Sequence, residues 1–255
     1  MVLDKRGAGR HHVAPMHAVI LAGGRGVRLR PYTTAFPKPL VPIGDEYAIM
    51  EVVLRQLHAA GFRTITIAIG HLGQLIRAYC GDGSQWGLDI RYWDEDTPLG
   101  TMGPIVANLA ELPEHFLVMN GDVLTDLPYA EVLQGHIGSG APITVATYDR
   151  TVKIDFGVLE IGGEKDEQIV AFREKPVEHF SVSMGIYAVT RETLAGYPAG
   201  EPLGFDELVL DLLPTATPPR VHRFDGYWLD IGRPDDYDTA NEEWERLKPL
   251  LLPPT

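Results

Sequence analysis

An apolar run that ends in glycines constrains this chain more than any other feature. Ala18 to Ala22 is a short stretch of apolar side chains, and Gly23 and Gly24 follow it directly. Such a run is typical of a buried parallel strand. In open α/β sheets, ligands bind beyond the carboxyl ends of the strands. We therefore expect the turn after this strand to carry a binding site.

The turn itself has the composition of an anion site. Three glycines fall within four positions, at Gly23, Gly24 and Gly26. Glycine permits positive φ and close approach, so successive N–H groups can face an anion. Positively charged side chains follow, at Arg25, Arg28, Arg30 and Lys38. The segment predicts a polyphosphate site.

Two common phosphate motifs do not match. A dinucleotide fingerprint requires glycine where Leu29 stands, and no Gly-Lys-Ser or Gly-Lys-Thr of a Walker loop occurs. An ordinary glycine turn after a strand is the simpler alternative. Against it, Lys38 lies between Pro37 and Pro39, which fix the backbone on both sides and leave the lysine less freedom to lose on binding.

The whole segment resembles the signature of the sugar-1-phosphate nucleotidylyltransferases. It reads Leu21-Ala22-Gly23-Gly24-x-Gly26-x-Arg28-Leu29-x-Pro31, followed by Pro37-Lys38-Pro39-Leu40. The resemblance implies a Rossmann-like α/β fold, a three-layer sandwich with a mainly parallel mixed sheet. Val27 departs from the threonine of many members. The nucleotide-binding residues that it implies in this segment are Leu21, Ala22, Gly23, Gly24, Arg25 and Gly26.

A second motif follows the third predicted strand. On its own, Glu95-Asp96-Thr97-Pro98-Leu99-Gly100-Thr101 is a loop in which Thr101 caps the next helix, as Asp45 is expected to cap an earlier one. Its similarity to the family's Glu-x-x-Pro-Leu-Gly-Thr segment implies that Gly100 and Thr101 line the nucleobase pocket.

Carboxylates mark a metal site. Asp122 follows the apolar strand Phe116 to Met119, where an uncompensated charge is costly. An Asx turn or a helix cap would explain it, but so would Mg²⁺, which prefers one or two carboxylates together with phosphate oxygens. The segment Trp228-Leu229-Asp230-Ile231-Gly232 resembles the family's Trp-x-Asp-x-Gly, which implies Asp230 as the second Mg²⁺ ligand.

The sugar phosphate is expected to bind in the second half of the chain, where further strands are predicted. Glu174-Lys175-Pro176 could be a solvated surface pair. It resembles the family's Glu-Lys-Pro motif, in which glutamate receives sugar hydroxyls and lysine holds the phosphate. Gly157 matches a glycine whose backbone meets the sugar.

Length, composition and charge indicate the domain organisation and the classes of partner to expect. The chain has 255 residues, of which 45% are hydrophobic and 22% charged, so one domain over 16–255 is expected, with 1–15 as a disordered leader. A net charge of −13 argues against nucleic-acid binding. The single cysteine, Cys80, excludes an internal disulfide. No signal peptide and no membrane span is expected, and we predict a cytoplasmic protein.

The implied reaction transfers a nucleotidyl group from a nucleoside triphosphate to a sugar 1-phosphate and releases pyrophosphate. Arg28, Lys38, Asp122 and Asp230 are the predicted catalytic residues. Ser183-Met184-Gly185 resembles the version of this segment found in some purine-using branches of the family. Together with Asn120-Gly121-Asp122, this resemblance implies a purine nucleotide, with guanylyl transfer to a mannose- or heptose-like 1-phosphate as the first expectation. The alternatives are adenylyl, thymidylyl or other transfer to a glucose-like 1-phosphate, or a non-catalytic regulatory subunit that binds a nucleotide sugar. A homo-oligomer is compatible with the resemblance.

Overall fold

The computed structural model describes residues 16–163 and 167–252. The expected leader, 1–15, and the last three residues of the expected domain lie outside the described residues.

Thirteen strands and seven α-helices fall within the described residues. The strands are β1 (Met16–Ala22), β2 (Pro42–Ile43), β3 (Tyr47–Ala48), β4 (Phe62–Ile69), β5 (Asp89–Asp94), β6 (His115–Asn120), β7 (Val123–Thr125), β8 (Ile143–Lys153), β9 (Val158–Gly162), β10 (Gln168–Arg173), β11 (Val177–Thr190), β12 (Arg220–Phe224) and β13 (Trp228–Asp230). The helices are α1 (Ile49–Ala59), α2 (Gly73–Cys80), α3 (Gly103–Ala107), α4 (Tyr129–Ser139), α5 (Phe205–Leu212), α6 (Pro234–Glu242) and α7 (Trp244–Leu251).

Seven strands form the central sheet, in the order β12-β8-β11-β6-β1-β4-β5. Neighbouring strands are parallel except where β11 pairs with β6 and with β8. The expected mainly parallel, mixed sheet is therefore confirmed. The strands β1, β4, β5 and β6 are all parallel, so their carboxyl ends meet at one edge.

Both faces of the sheet are covered by helices. Along β1, successive side chains alternate between faces, so Ala18 and Ile20 pack in one core cluster with helices α1, α2 and α4, whereas Val19 packs in another with α3 and α5. Burial on both faces explains why β1 is an unbroken apolar run rather than an alternating one. This arrangement is the expected three-layer sandwich.

Two expected helix caps are wrong. Asp45 lies at φ 57° in the turn of the small β2–β3 hairpin, and α1 begins only at Ile49. Thr101 precedes α3, whose N-cap is Met102, because the Met102 N–H donates to the carbonyl of Leu203 at 2.9 Å. In both places a tertiary or hairpin contact sets where the helix starts. Within the described part of the chain, every helix is too short or too polar to cross a membrane.

Candidate active site

A cavity of about 890 Å³ lies at the carboxyl ends of β1, β4, β5 and β6. This volume is within the range of small-molecule sites. The loops that follow those four strands supply most of its lining. All eight predicted nucleotide-binding residues line it: Leu21, Ala22, Gly23, Gly24, Arg25, Gly26, Gly100 and Thr101. Their part in binding a nucleotide stays a prediction, but the structure brings them together.

Gly26 sets the shape of the loop after β1. Of the loop's three glycines it alone has positive φ, 58°, and its carbonyl accepts a hydrogen bond from the Thr33 hydroxyl at 2.7 Å. A β-carbon at this position would lie 3.0 Å from Thr33 Cγ2 and 3.2 Å from Lys38 Cβ. The backbone therefore passes close to Lys38, which lines the same cavity.

Lys38 joins the two predicted metal ligands. Its side chain is buried, and its Nζ lies 2.5 Å from Oδ2 of Asp122 and 3.8 Å from Oδ1 of Asp230. The two aspartates come from distant parts of the chain. They meet because β7 pairs with β13, which places Asp230 opposite Val123, the residue after Asp122. The Ile231 N–H then donates to the Asp122 carbonyl at 3.2 Å.

Arg28 completes this group of charges. Its Nη1 lies 3.9 Å from the Cβ position of Gly232, while Oδ2 of Asp230 lies 3.5 Å from that position. Arg28 also lines the cavity, as Gly232 does. Of the four predicted catalytic residues, Arg28, Lys38 and Asp122 thus line the cavity, and Asp230 lies beside them. Asp236, in the first turn of α6, accepts the Arg233 N–H.

Burial and charge shape the carboxylate pair. Burial and the negative charge of Asp122 raise the pKa of Asp230, against the opposing influence of Lys38 and Arg28. Oδ1 of Asp122 is buried and has no hydrogen-bond partner among the described residues. A buried carboxylate oxygen without a partner is costly, and a divalent cation would satisfy it.

The donor set fits Mg²⁺. Among residues 16–163 and 167–252, no group of three or more His, Cys, Asp or Glu side chains could hold a metal. The site instead offers two carboxylates, which suits a cation that keeps phosphate oxygens and waters as its other ligands.

Glu95 is a site residue that sequence reasoning quoted but did not assign. It lines the cavity at the end of β5, and its Oε2 lies 2.5 Å from the Cβ position of Gly23. Its Oε1 accepts the Leu99 N–H at 3.3 Å, and burial raises the pKa of the carboxyl group. Its position as the first residue of the Glu-x-x-Pro-Leu-Gly-Thr segment is the sequence feature that could have identified Glu95 as a site residue.

The predicted sugar-phosphate residues form a separate group. Glu174 and Lys175 are exposed and follow β10, which pairs only with β9 among the described strands. Glu174 Oε2 lies 3.3 Å from the Cβ position of Gly157, so these two residues are adjacent. None of Gly157, Glu174 and Lys175 is part of the cavity lining described above. Lys175 has φ 43°, which is uncommon for a residue with a β-carbon.

An irregular segment of β11 packs against residues close in sequence to the two aspartates. The β8–β11 register shifts between Ser183 and Tyr187, and Gly185 within this stretch has φ 74°. A β-carbon at Gly185 would lie 2.5 Å from the side-chain nitrogen of Asn120. The Trp228 indole donates to the Met184 carbonyl at 3.2 Å. The Ser183-Met184-Gly185 segment thus packs against residues two positions before each aspartate.

The family model for nucleotidyl transferases matches residues 17–246. The chain therefore belongs to the nucleotidyl transferase family, and the expected sugar-1-phosphate nucleotidylyltransferase class is confirmed. It is similar to a mannose-1-phosphate guanyltransferase of Schizosaccharomyces pombe, with 32% identity over 94% of this chain and 68% of the relative. A glucose-1-phosphate adenylyltransferase of Geobacillus stearothermophilus is 30% identical over 92% of this chain and 65% of the relative.

These curated relatives are longer proteins. The chain spans between 61% and 68% of the lengths of eight such relatives. Among solved structures, HddC from Yersinia pseudotuberculosis has a TM-score of 0.69 at 24% identity, covering 90% of this chain and 99% of that one. This likeness supports the fold.

Proposed function

We propose that this chain transfers a guanylyl group from GTP to mannose 1-phosphate or to a heptose-like 1-phosphate, which gives a GDP-sugar and pyrophosphate. The observation that carries the proposal is the meeting of Arg28, Lys38, Asp122 and Asp230 beside a cavity lined by the glycine-rich loop. The names of its relatives support the choice of substrates, since seven of these eight relatives are mannose-1-phosphate guanylyltransferases.

The reaction is an in-line displacement at the α-phosphorus. A sugar phosphate oxygen forms a new bond to the α-phosphorus, and the bond from that phosphorus to the β-phosphate oxygen breaks, so the electron pair leaves with pyrophosphate. A phosphate monoester has a second pKa of about 6 and is already largely dianionic at neutral pH. No general base is needed. Catalysis then consists of holding two anions in line and stabilising the charge that develops.

Each charged residue has a part in this scheme. Arg28 faces the leaving phosphates, and Lys38 faces the α-phosphate and the incoming phosphate. Lys175 binds the sugar phosphate, with Glu174 and the backbone of Gly157 at the sugar. Asp122 and Asp230 would hold Mg²⁺, and the bound cation would neutralise charge on the phosphate oxygens.

The Glu95 carboxylate supports guanine as the base. An ionised carboxylate only accepts hydrogen bonds. The edge of guanine presents two adjacent donors, the ring N–H and the exocyclic amino group, which one carboxylate can accept together. The corresponding edge of adenine pairs one donor with one acceptor, so the second carboxylate oxygen would face a lone pair. Such unsatisfied contacts produce strong discrimination between substrates.

Adenylyl transfer to a glucose-like 1-phosphate is the second candidate, because a glucose-1-phosphate adenylyltransferase is nearly as similar to this chain as the guanylyltransferases are. A regulatory subunit that only binds a nucleotide sugar needs no carboxylate pair with an adjacent lysine. The presence of all four charged residues in one place argues against that alternative.

The test is pyrophosphate release with Mg²⁺ from ATP, GTP, CTP, UTP and dTTP, each with mannose, glucose and heptose 1-phosphates. The proposal predicts release with GTP and a mannose- or heptose-type substrate, and none with Asp122→Asn. Release that depends on ATP and glucose 1-phosphate would establish the second candidate. Binding of a GDP-sugar without any release across the panel would favour the regulatory subunit.

A further inference from the structure

Lys38 occupies the space where the two predicted metal ligands converge. Its ammonium contacts Oδ2 of Asp122 at 2.5 Å and lies 3.8 Å from Oδ1 of Asp230. The remaining oxygen of Asp122, Oδ1, is buried and has no partner among the described residues. One positive charge thus stands beside two carboxylates, and one carboxylate oxygen remains unsatisfied.

The surroundings hold the ammonium in this place. The side chain of Lys38 is only 9% exposed. Pro37 fixes the backbone before it, and the 3₁₀ turn Lys38–Leu40 continues directly after it. Without this cation, two negative side chains would lie close together in a partly buried pocket, and like charges at such a distance repel strongly.

We propose that Lys38 is a placeholder for the divalent cation: its ammonium holds the two carboxylates together before the metal binds, and binding of the metal displaces it toward the phosphates. This inference rests on the proposed metal site at Asp122 and Asp230. It gives Lys38 a positioning role in addition to its contact with phosphate. The Lys38 ammonium can contact a phosphate only after the metal has displaced it from the carboxylates. Metal binding therefore precedes the contact between Lys38 and phosphate.

The proposal predicts competition between the ammonium and the metal. In the absence of nucleotide and sugar phosphate, Lys38→Met should bind Mn²⁺ at least tenfold more tightly than the wild type, as measured by electron paramagnetic resonance of free Mn²⁺. Lys38→Gln, which keeps a polar side chain of similar length, should behave in the same way if the methionine variant does not fold. Lys153→Met removes an exposed lysine at the end of β8 and is the control, with Mn²⁺ affinity equal to that of the wild type.

A second measurement uses the unaltered chain. Mg²⁺ should increase the rate at which an acetylating reagent modifies Lys38, followed by mass spectrometry, by several-fold relative to Lys153. A rate for Lys38 that does not change with Mg²⁺ would contradict the displacement.

Adding Asp122→Asn to each variant separates this inference from the proposed metal site. Loss of Mn²⁺ binding on that substitution, together with tighter binding by Lys38→Met, supports both. Loss of binding on Asp122→Asn without any gain in Lys38→Met or Lys38→Gln overturns the placeholder role and leaves the metal site intact. Mn²⁺ binding that is insensitive to Asp122→Asn in every background overturns the metal site itself, and the placeholder with it.

Discussion

The Cβ position of Gly23 lies 2.5 Å from Oε2 of Glu95. The Glu95 side chain thus reaches from the end of β5 across β4 to the loop after β1, so closely that a single methyl group at Gly23 would displace it. Because the obstacle is the far end of a flexible side chain, a substitution at Gly23 should disturb the cavity more than the fold.

Gly23→Ala should therefore turn Glu95 away and reduce kcat/KM for GTP by about tenfold, while the free energy of unfolding changes by no more than about 1 kcal/mol. Gly196→Ala is the control, since a β-carbon there meets nothing within 4 Å. Steady-state kinetics and urea unfolding give both quantities. Equal kinetics for the two variants would show that Glu95 does not need its observed position.

Glu95→Gln tests the choice of base directly. The amide presents only one acceptor, so it leaves one guanine donor unsatisfied, and we expect kcat/KM for GTP to fall by roughly a hundredfold or more. The value for ATP should change much less, so the ratio of the two is the informative measurement. Glu131→Gln, at an exposed position in α4, serves as the control. A preserved GTP-to-ATP ratio in Glu95→Gln would remove this residue from base recognition.

Asp122→Asn, Asp230→Asn and Arg28→Ala should each lower turnover by orders of magnitude with the fold intact. The two amides cannot supply the negative charge that a divalent cation needs, and the alanine removes a cation from the leaving phosphates. Circular dichroism and thermal unfolding check the fold. Asp89→Asn, which breaks an exposed ion pair with Arg91, is the control for loss of a surface carboxylate. Near-normal turnover in Asp122→Asn or Arg28→Ala would overturn these assignments.

His136 makes stability depend on pH. It is buried between α4 and the sheet, with Nδ1 2.9 Å from Thr144 Oγ1 and Nε2 3.0 Å from Thr190 Oγ1. Burial, with a smaller contribution from His115, lowers the pKa of His136 from 6.5 to about 4. Between these values the unfolded chain binds a proton that the folded chain does not, so the free energy of unfolding decreases as the pH falls.

Above pH 6.5, His136 does not lower the free energy of unfolding. By pH 5 the decrease should amount to roughly 2 kcal/mol, because one pKa unit corresponds to about 1.4 kcal/mol. His136→Gln should be less stable at pH 7 but should lose less stability than the wild type between pH 7 and pH 5. Urea unfolding at the two pH values measures the difference. Parallel losses in both proteins would show that His136 contributes nothing to the pH dependence.

The sequence predicted the parts of this molecule that depend on local pattern. The apolar run at Ala18 to Ala22 predicted a buried parallel strand, and the rule that ligands bind beyond such strands predicted a site at the turn that holds Gly24, whereas the site role of Gly100 came from the family resemblance. Both residues line one cavity. Family resemblance, rather than pattern, was needed for Asp230, because its place depends on the pairing of β13 with β7.

The features that could not be predicted from the sequence depend on contacts between residues that are distant in the chain. Thr101 has the side chain of a helix cap, but the carbonyl of Leu203 binds the next N–H and the helix starts later. Two further contacts connect separate strands and loops: Glu95 approaches Gly23, and Lys38 contacts Asp122. Neither contact can be predicted from the local sequence. The cytoplasmic location, the single domain over 16–255, the homo-oligomer and the absence of nucleic-acid binding stay predictions.

The pairing of β7 with β13 has a consequence for synthesis on the ribosome. The strands β1, β4, β5 and β6 all precede Asp122, so most of the cavity at their carboxyl ends can form early, as N-terminal parts of a nascent chain generally do. Asp230 emerges more than a hundred residues later, in the last strand. A chain released before Trp228 therefore retains the glycine-rich loop and Asp122 but lacks Asp230, so the carboxylate pair that we propose to hold the metal can form only after synthesis has passed Asp230.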